Sequence, residues 1–135
     1  MSVSELLKAL KSKGMKITPQ RIEIVRTLVE LKDKHPSLNE LYEEVKERVP
    51  TLSFSTLYST IRRLEDVGFI RLFDLLGETR IEVNTDPHIN VIDLDKGIVR
   101  DVEDRELVEI LARRLALKNK ECILVNVLVY DGRHG

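Results

Sequence analysis

The sequence predicts an α+β protein in which an N-terminal winged helix-turn-helix is followed by a small α/β dimerisation domain. Apolar residues recur at helical spacing in four segments between residues 3 and 68. Two β-forming segments around a glycine turn come next, and the remaining chain has a β-β-α-β order. We therefore predict a winged-helix domain at residues 1–84, a hinge at 85–88 and the dimerisation domain at 89–135.

The four predicted helices are bounded by residues that begin or end helices. Thr18 can cap the second helix, for which Pro19 suits the first position, and Ser37 with Glu40 forms a capping box for the third. The expected spans are 3–13, 19 to about 33, 38 to a residue before Pro50, and a fourth helix from Ser53 or Ser55 to a stop at Gly68.

The fourth helix carries a polar outer face. Leu57, Ile61 and Leu64 are spaced to face inward, whereas Ser55, Tyr58, Ser59 and Arg62 fall at i, i+3, i+4 and i+7 on the other side, beside Arg63. A hairpin is predicted next, with strands at 69–73 and 79–83 and a turn at 75–78. This order is typical of a winged helix whose last helix enters the major groove of DNA.

The second half of the chain is predicted to need a partner. We expect strands at 89–94 and 98–102, a helix at 106–117, and a nearly continuous aliphatic strand at 122–130. A strand of that composition requires cover on both faces, and about fifty residues bury too little surface to provide it. The sequence therefore predicts a twofold homodimer.

Charge and composition limit the function classes. The net charge of −1 conceals six Lys/Arg against two Glu in residues 1–26, and eight Lys/Arg against ten Asp/Glu in residues 84–135. No apolar run suits a membrane span and no signal segment is evident, so we expect a cytoplasmic protein with no membrane partner. The histidines at 35, 88 and 134 are scattered, and no nucleophile or phosphate-binding phrase accompanies them, which argues against an enzyme.

Six short phrases stand out along the chain: Gly14–Arg21, His35–Ser37, Glu40–Tyr42, Ser55–Tyr58, Leu64–Gly68 and Arg80–Glu82. In kind, order and spacing they resemble those of the ferric uptake regulator family, which includes iron, zinc, manganese and peroxide sensors. The resemblance implies a dimeric transcription regulator, a repressor that binds double-stranded DNA at palindromic operators and responds to a divalent metal or to peroxide.

The resemblance also implies a set of DNA-binding residues. Tyr58 matches the family tyrosine that contacts a base, and Lys16 and Arg21 match positions near the phosphate backbone. Ser59 departs from the family, which often has a basic residue there, so the operator sequence does not transfer. The full predicted set is Lys16, Arg21, Ser55, Thr56, Tyr58, Ser59, Arg62 and Arg80.

For metals, the resemblance implies a retained regulatory site without the structural zinc. Asp93 and Lys96 occupy the positions of the family's first Cys-x-x-Cys pair, and Cys122, the one cysteine, matches neither pair. With Asn90 in place of the second histidine of a His-x-His element, the site is expected to bind one Fe, Mn or Zn ion per chain more weakly, particularly a softer metal. The implied ligands are His35, Glu82, His88, Asn90 and Asp101.

Other interpretations of the same residues stay open. His35 can simply begin the third helix, Glu82 can be a solvated strand residue, and His88 can lie in a hinge loop. The face of the fourth helix can be an ordinary solvated surface. The alternative functions are therefore a metal-independent winged-helix regulator and a winged helix that serves as a protein-interaction module. A shallow dependence of affinity on salt would indicate the protein-interaction module.

Overall fold

The computed structural model describes residues 2–83, 88–117 and 124–131, and the chain divides into two compact units, Met1–Asn84 and Thr85–Gly135. No helix among the described residues is long and apolar enough to cross a membrane. The first unit contains α1 (Val3–Ser12), α2 (Pro19–Leu31), a 3-10 turn (Lys32–Lys34), α3 (Leu38–Arg48), α4 (Phe54–Asp66), β1 (Arg71–Leu75) and β2 (Glu78–Glu82); the second contains β3 (His88–Asp93), β4 (Ile98–Val102), α5 (Arg105–Arg114) and β5 (Leu124–Val129).

The helices of the first unit begin at side-chain caps. Thr18 accepts a hydrogen bond from the Arg21 N–H, and Ser37 accepts one from the Glu40 N–H, as their sequence positions predicted. Of the two serines proposed for α4, Ser53 is the cap. The predicted second helix was too long, because its last turn tightens to 3-10 geometry before His35, whose φ of 48° ends the helix.

One hydrophobic core holds the first unit together. Each helix contributes apolar residues from its inner face, and Ile81 of β2 closes the core from the sheet. Leu57, Ile61 and Leu64 are completely buried, which confirms the predicted inner face of α4. Burial of each such side chain contributes roughly 1.5–3 kcal/mol, and the outer face of α4 is held in place by this packing.

The β-hairpin confirms the predicted wing but corrects the bounds of its two strands. β1 and β2 are antiparallel, with Leu72 opposite Ile81, and a two-residue turn joins them at Leu76 (φ 51°) and Gly77 (φ 84°). The predicted strands began at 69 and 79 instead of at 71 and 78. Phe69 instead completes the end of α4, where its N–H donates to the Leu64 carbonyl at 3.0 Å. The wing is anchored at its other edge, because the Ile81 N–H donates to the Pro36 carbonyl at 2.9 Å.

The second unit is a three-stranded sheet in the order β4-β3-β5, with α5 packed on β3. The elements follow the predicted β-β-α-β order, and β3 is antiparallel to β4 and parallel to β5. His88 is the first residue of β3, so its predicted place in the hinge was wrong; residues 85–87 of that hinge lie outside the described residues, as does Cys122. The helix is also shorter than predicted, with Asp104 as its cap.

Candidate functional site

The outer face of α4 presents the predicted polar residues together. Ser55, Tyr58, Ser59 and Arg62 are all exposed, on the side opposite the buried leucine and isoleucine residues. Thr56 is half-buried, and its hydroxyl lies 2.8 Å from the Ser53 hydroxyl. This surface therefore offers hydroxyl groups, a phenol and a guanidinium along one side of a rigid helix.

Two residues that the sequence did not single out support this face. Phe54 stacks on Tyr58, with ring centroids 6.3 Å apart and planes 20° apart. Glu65 accepts a hydrogen bond from the Arg62 guanidinium at 2.6 Å and another from the Leu72 N–H at 2.7 Å. Glu65 thus connects Arg62 to the first strand of the wing through two hydrogen bonds, and Tyr58 packs against the ring of Phe54.

Lys16 and Arg21 lie together at the beginning of α2. Lys16 is exposed in the loop that precedes the helix, and the Arg21 guanidinium in the first turn donates to the Lys16 carbonyl at 2.5 Å. Arg21 therefore both adds positive charge and fixes the backbone that presents Lys16.

Arg80 lies in a different environment from the other predicted DNA-binding residues. Its side chain is only 18% exposed, and its Nη1 donates to the His35 carbonyl at 3.0 Å. The same guanidinium contacts Glu78 of β2 at 3.3 Å. These contacts connect the wing to the turn before α3.

The first unit also contains a buried pair of potential metal ligands. His35 Nε2 lies 3.3 Å from Glu82 Oε2, and both side chains are 2% exposed. The left-handed backbone of His35 is sparsely populated for residues other than glycine, so its surroundings must hold it there. Glu82 is therefore not a solvated strand residue, contrary to one interpretation of the sequence.

The second unit brings together its own three predicted ligands. His88 Nε2 lies 3.1 Å from Asn90 Oδ1 and 3.9 Å from Asp101 Oδ1. His88 and Asn90 are buried, whereas Asp101 is 32% exposed. The register places Asn90 opposite Asp101 on β4 and opposite Asn126 on β5, so a polar row crosses the sheet. Asn126 was not predicted as a site residue.

The β5 region presents apolar side chains to solvent. β5 has β3 on one side and no strand on the other among the described residues. Exposed apolar residues in and directly after β5 are Val127, Leu128, Val129 and Tyr130. Consecutive residues of a strand point to opposite faces, so both faces of β5 carry exposed apolar surface.

Comparison with known proteins identifies the family. The ferric uptake regulator family matches residues 12–130. The chain is 41% identical over 125 residues to a ferric uptake regulation protein homolog from Archaeoglobus fulgidus, covering 93% of this chain and 94% of that protein. It is 28% identical over 109 residues to a peroxide-responsive repressor from Staphylococcus epidermidis, covering 80% of this chain and 72% of that protein.

Solved structures give the same result. A zinc-bound manganese uptake regulator is 29% identical, with a TM-score of 0.68 over 93% of this chain and 96% of that one. A peroxide stress regulator from Campylobacter jejuni is 26% identical, with a TM-score of 0.66 over 97% of each chain. Members of this family bind DNA, form dimers and regulate transcription, and they are not enzymes. The winged helix, the small α/β unit and the extent of these matches establish that the chain belongs to the ferric uptake regulator family.

Proposed function

We propose that this chain is a metal-responsive transcription repressor that binds palindromic operator DNA as a homodimer, with α4 in the major groove. The observation that carries the proposal is the exposed face of α4, where Ser55, Tyr58 and Arg62 lie side by side on a helix fixed by its buried face. An α-helix fits the major groove, and hydroxyl and guanidinium groups contact the edges of bases there.

Basic residues in the first unit suit the phosphate backbone. Lys16 is exposed, and Arg21 fixes the loop that carries it. We propose that Lys16, Arg21 and Arg62 contact phosphates or base edges beside the residues at 55–59. Arg80 is the weakest member of the predicted set, because its guanidinium already donates to the His35 carbonyl.

A twofold dimer is consistent with the proposed palindromic operator. Two copies related by a twofold axis present two copies of α4, and the half-sites then mirror the symmetry of the protein. The apolar surface of β5 supports pairing of two second units, because Val127, Leu128 and Val129 are each more than two-fifths exposed in the single chain. A protein that binds operator DNA shares a compartment with it, so we propose a cytoplasmic location.

Each unit offers ligands for the proposed regulatory metal. The first offers His35 and Glu82, and the second offers His88, Asn90 and Asp101. Imidazole nitrogens with carboxylate and amide oxygens suit Mn, Fe or Zn ions. Binding of the ion shifts the population toward the conformation that binds it, and we propose that this conformation has the higher affinity for DNA. A zinc-bound manganese uptake regulator among the relatives supports this class of metal.

The test combines elemental analysis with metal-titrated binding of the full chain to its own promoter DNA. The proposal predicts close to one divalent ion per chain and a DNA affinity that increases with metal in the wild type. His88→Ala is expected to lose both effects, whereas His134→Ala, which changes a histidine assigned to no site, is expected to keep them. Tight DNA binding with no metal and no effect of His88→Ala would instead indicate the metal-independent regulator.

The salt dependence of affinity separates the repressor from a protein-interaction module. Phosphate contacts release counterions, so affinity for DNA decreases steeply as salt increases. Lys16→Ala is expected to weaken binding almost equally for all sequences and to reduce the slope of log affinity against log salt by about 1. A shallow slope that this substitution leaves unchanged would favour a protein partner.

A further inference from the structure

Phe54 is an exposed aromatic residue at the beginning of α4. It directly follows the helix cap Ser53, and 41% of its surface is accessible. Tyr58 lies one turn further along and is 43% exposed. Single exposed apolar residues are common on protein surfaces. Here, however, two exposed rings are adjacent at the end of the helix that is proposed to enter the major groove.

The Phe54 ring is held in a defined orientation by its neighbours. Tyr42 of α3 meets it edge-on, with centroids 5.5 Å apart and planes 74° apart. Tyr42 is itself fixed, because its hydroxyl donates to the Leu52 carbonyl at 3.3 Å. Tyr58 stacks on Phe54 from the other direction. Such aromatic pairs are stabilising, so the ring is presented in one position before any partner arrives.

The chemistry of the major groove identifies what this ring can contact. The C5-methyl group of thymine is an apolar feature that distinguishes a base pair in that groove, and phenylalanine is among the side chains that pack against it. The N-terminal residues of a recognition helix are the ones that contact base edges. Serine and threonine accommodate several bases, so the hydroxyl groups of Ser55 and Ser59 provide little discrimination.

We propose that Phe54 is a specificity-determining residue that packs against the methyl group of a thymine in each operator half-site. The inference rests on the proposed function, since it requires α4 to enter the major groove. It adds an apolar contact to a face whose predicted contacts are otherwise polar, and it selects thymine over the other three bases at one position.

The test replaces thymine by uracil, which differs only in lacking the methyl group. The probe is a duplex selected by the full chain from a random-sequence library, with single dT-to-dU replacements along one half-site. At one thymine we expect the wild-type affinity to decrease about fourfold, the ratio for one buried methyl group. In Phe54→Ala and Phe54→Gln the same replacement is expected to have no effect, because the ring that contacts the methyl group is gone.

Three controls distinguish loss of the methyl contact from a general loss of DNA binding or of folding. Phe54→Leu, which keeps an apolar side chain, is expected to retain part of the uracil penalty, and Lys16→Ala to retain all of it while weakening binding to every duplex. Thermal melting of each variant checks that it folds. A full uracil penalty in both Phe54→Ala and Phe54→Gln overturns the inference, as does a wild type that is insensitive to uracil throughout. Salt-dependent DNA binding in those same experiments would leave the proposed function intact, whereas absence of DNA binding would overturn both the proposed function and the role of Phe54.

Discussion

Asn90 donates a hydrogen bond from its Nδ2 to the Asn126 Oδ1 across two parallel strands, at 3.2 Å. The other end of the same amide is also fixed, because Asn90 Oδ1 lies 3.1 Å from His88 Nε2. Asn126 therefore determines which atom of the Asn90 amide is directed at His88. An oxygen in that position can accept a hydrogen bond or bind a metal ion, whereas an amide nitrogen can do neither.

The first prediction concerns the role of Asn126 in orienting this amide. Asn126→Ala leaves the Asn90 amide free to rotate, and the loss of such an outer contact typically weakens metal affinity by about tenfold or more. The thermal midpoint of the metal-free protein should change little, since Asn126 is exposed. Isothermal titration with Mn²⁺ measures the affinity, and Asn39→Ala, which removes an exposed asparagine of the first unit, is the control. Equal Mn²⁺ affinities in the wild type, Asn126→Ala and the control would show that Asn126 does not orient the Asn90 amide for metal binding.

The second prediction concerns Asn90, which stands where the family has a histidine. Asn90→His replaces a hard amide oxygen by an imidazole nitrogen, which suits zinc better than manganese. We expect the affinity for Zn²⁺ to increase by about tenfold or more relative to that for Mn²⁺, measured by competition with chelators of known affinity. Asn39→His, which alters an exposed amide in the first unit, should leave the ratio unchanged. An unchanged ratio in Asn90→His would indicate that residue 90 does not contact the metal.

Much of the first unit could be predicted because its signals are local. Thr18, Ser37 and Ser53 cap helices through bonds to residues three positions further along the chain, which a sequence displays directly. The strand bounds of the wing were missed because they depend on a two-residue turn with positive φ at Leu76, a conformation that leucine rarely adopts. The place of His88 was missed because its strand is defined by pairing with distant β5.

The candidate site also has features that the sequence predicted and features that it did not. The family resemblance named positions such as His35 and Glu82, which the structure brings within 3.3 Å of each other. It did not specify side-chain environment, so it did not reveal that the guanidinium of Arg80, predicted to contact DNA, donates to a backbone carbonyl inside the first unit. Phe54 and Asn126 were missed because their importance arises from neighbours on other turns or strands.

The third prediction concerns the pH dependence of the stability that the ion pair between Glu30 of α2 and Arg48 of α3 contributes. Arg48 donates to both carboxylate oxygens of Glu30, at 3.3 and 2.8 Å, and this hydrogen bonding lowers the pKa of Glu30. A folded-state pKa below the unfolded one stabilises the fold above the ordinary glutamate pKa, and that contribution disappears as the pH falls through the lowered pKa.

Glu30→Gln should therefore melt slightly below the wild type at neutral pH, by a small margin because the pair is exposed to solvent. The two melting temperatures should converge as the pH falls through the lowered pKa of Glu30. Thermal melting across an acid pH series measures this. Glu47→Gln, on the same helix as Arg48, provides a matched removal of one exposed carboxylate. A difference between wild type and Glu30→Gln that persists at the acid end would contradict the role of Glu30.

The fourth prediction separates two roles for Arg80. Its Nη1 supports the His35 carbonyl, and the Arg80 side chain is mostly buried. Arg80→Ala leaves that carbonyl without this charged donor, which should lower the free energy of unfolding by about 1–3 kcal/mol. Lys16→Ala, at an exposed position, should change the free energy of unfolding by no more than about 0.5 kcal/mol.

Arg80→Lys should recover only part of the loss, because lysine lacks the planar fork that reaches both His35 and Glu78. Urea denaturation of the metal-free proteins measures these differences. If Arg80 contacts phosphate instead, Arg80→Ala will keep the stability of the wild type and reduce the salt slope of DNA binding as Lys16→Ala does.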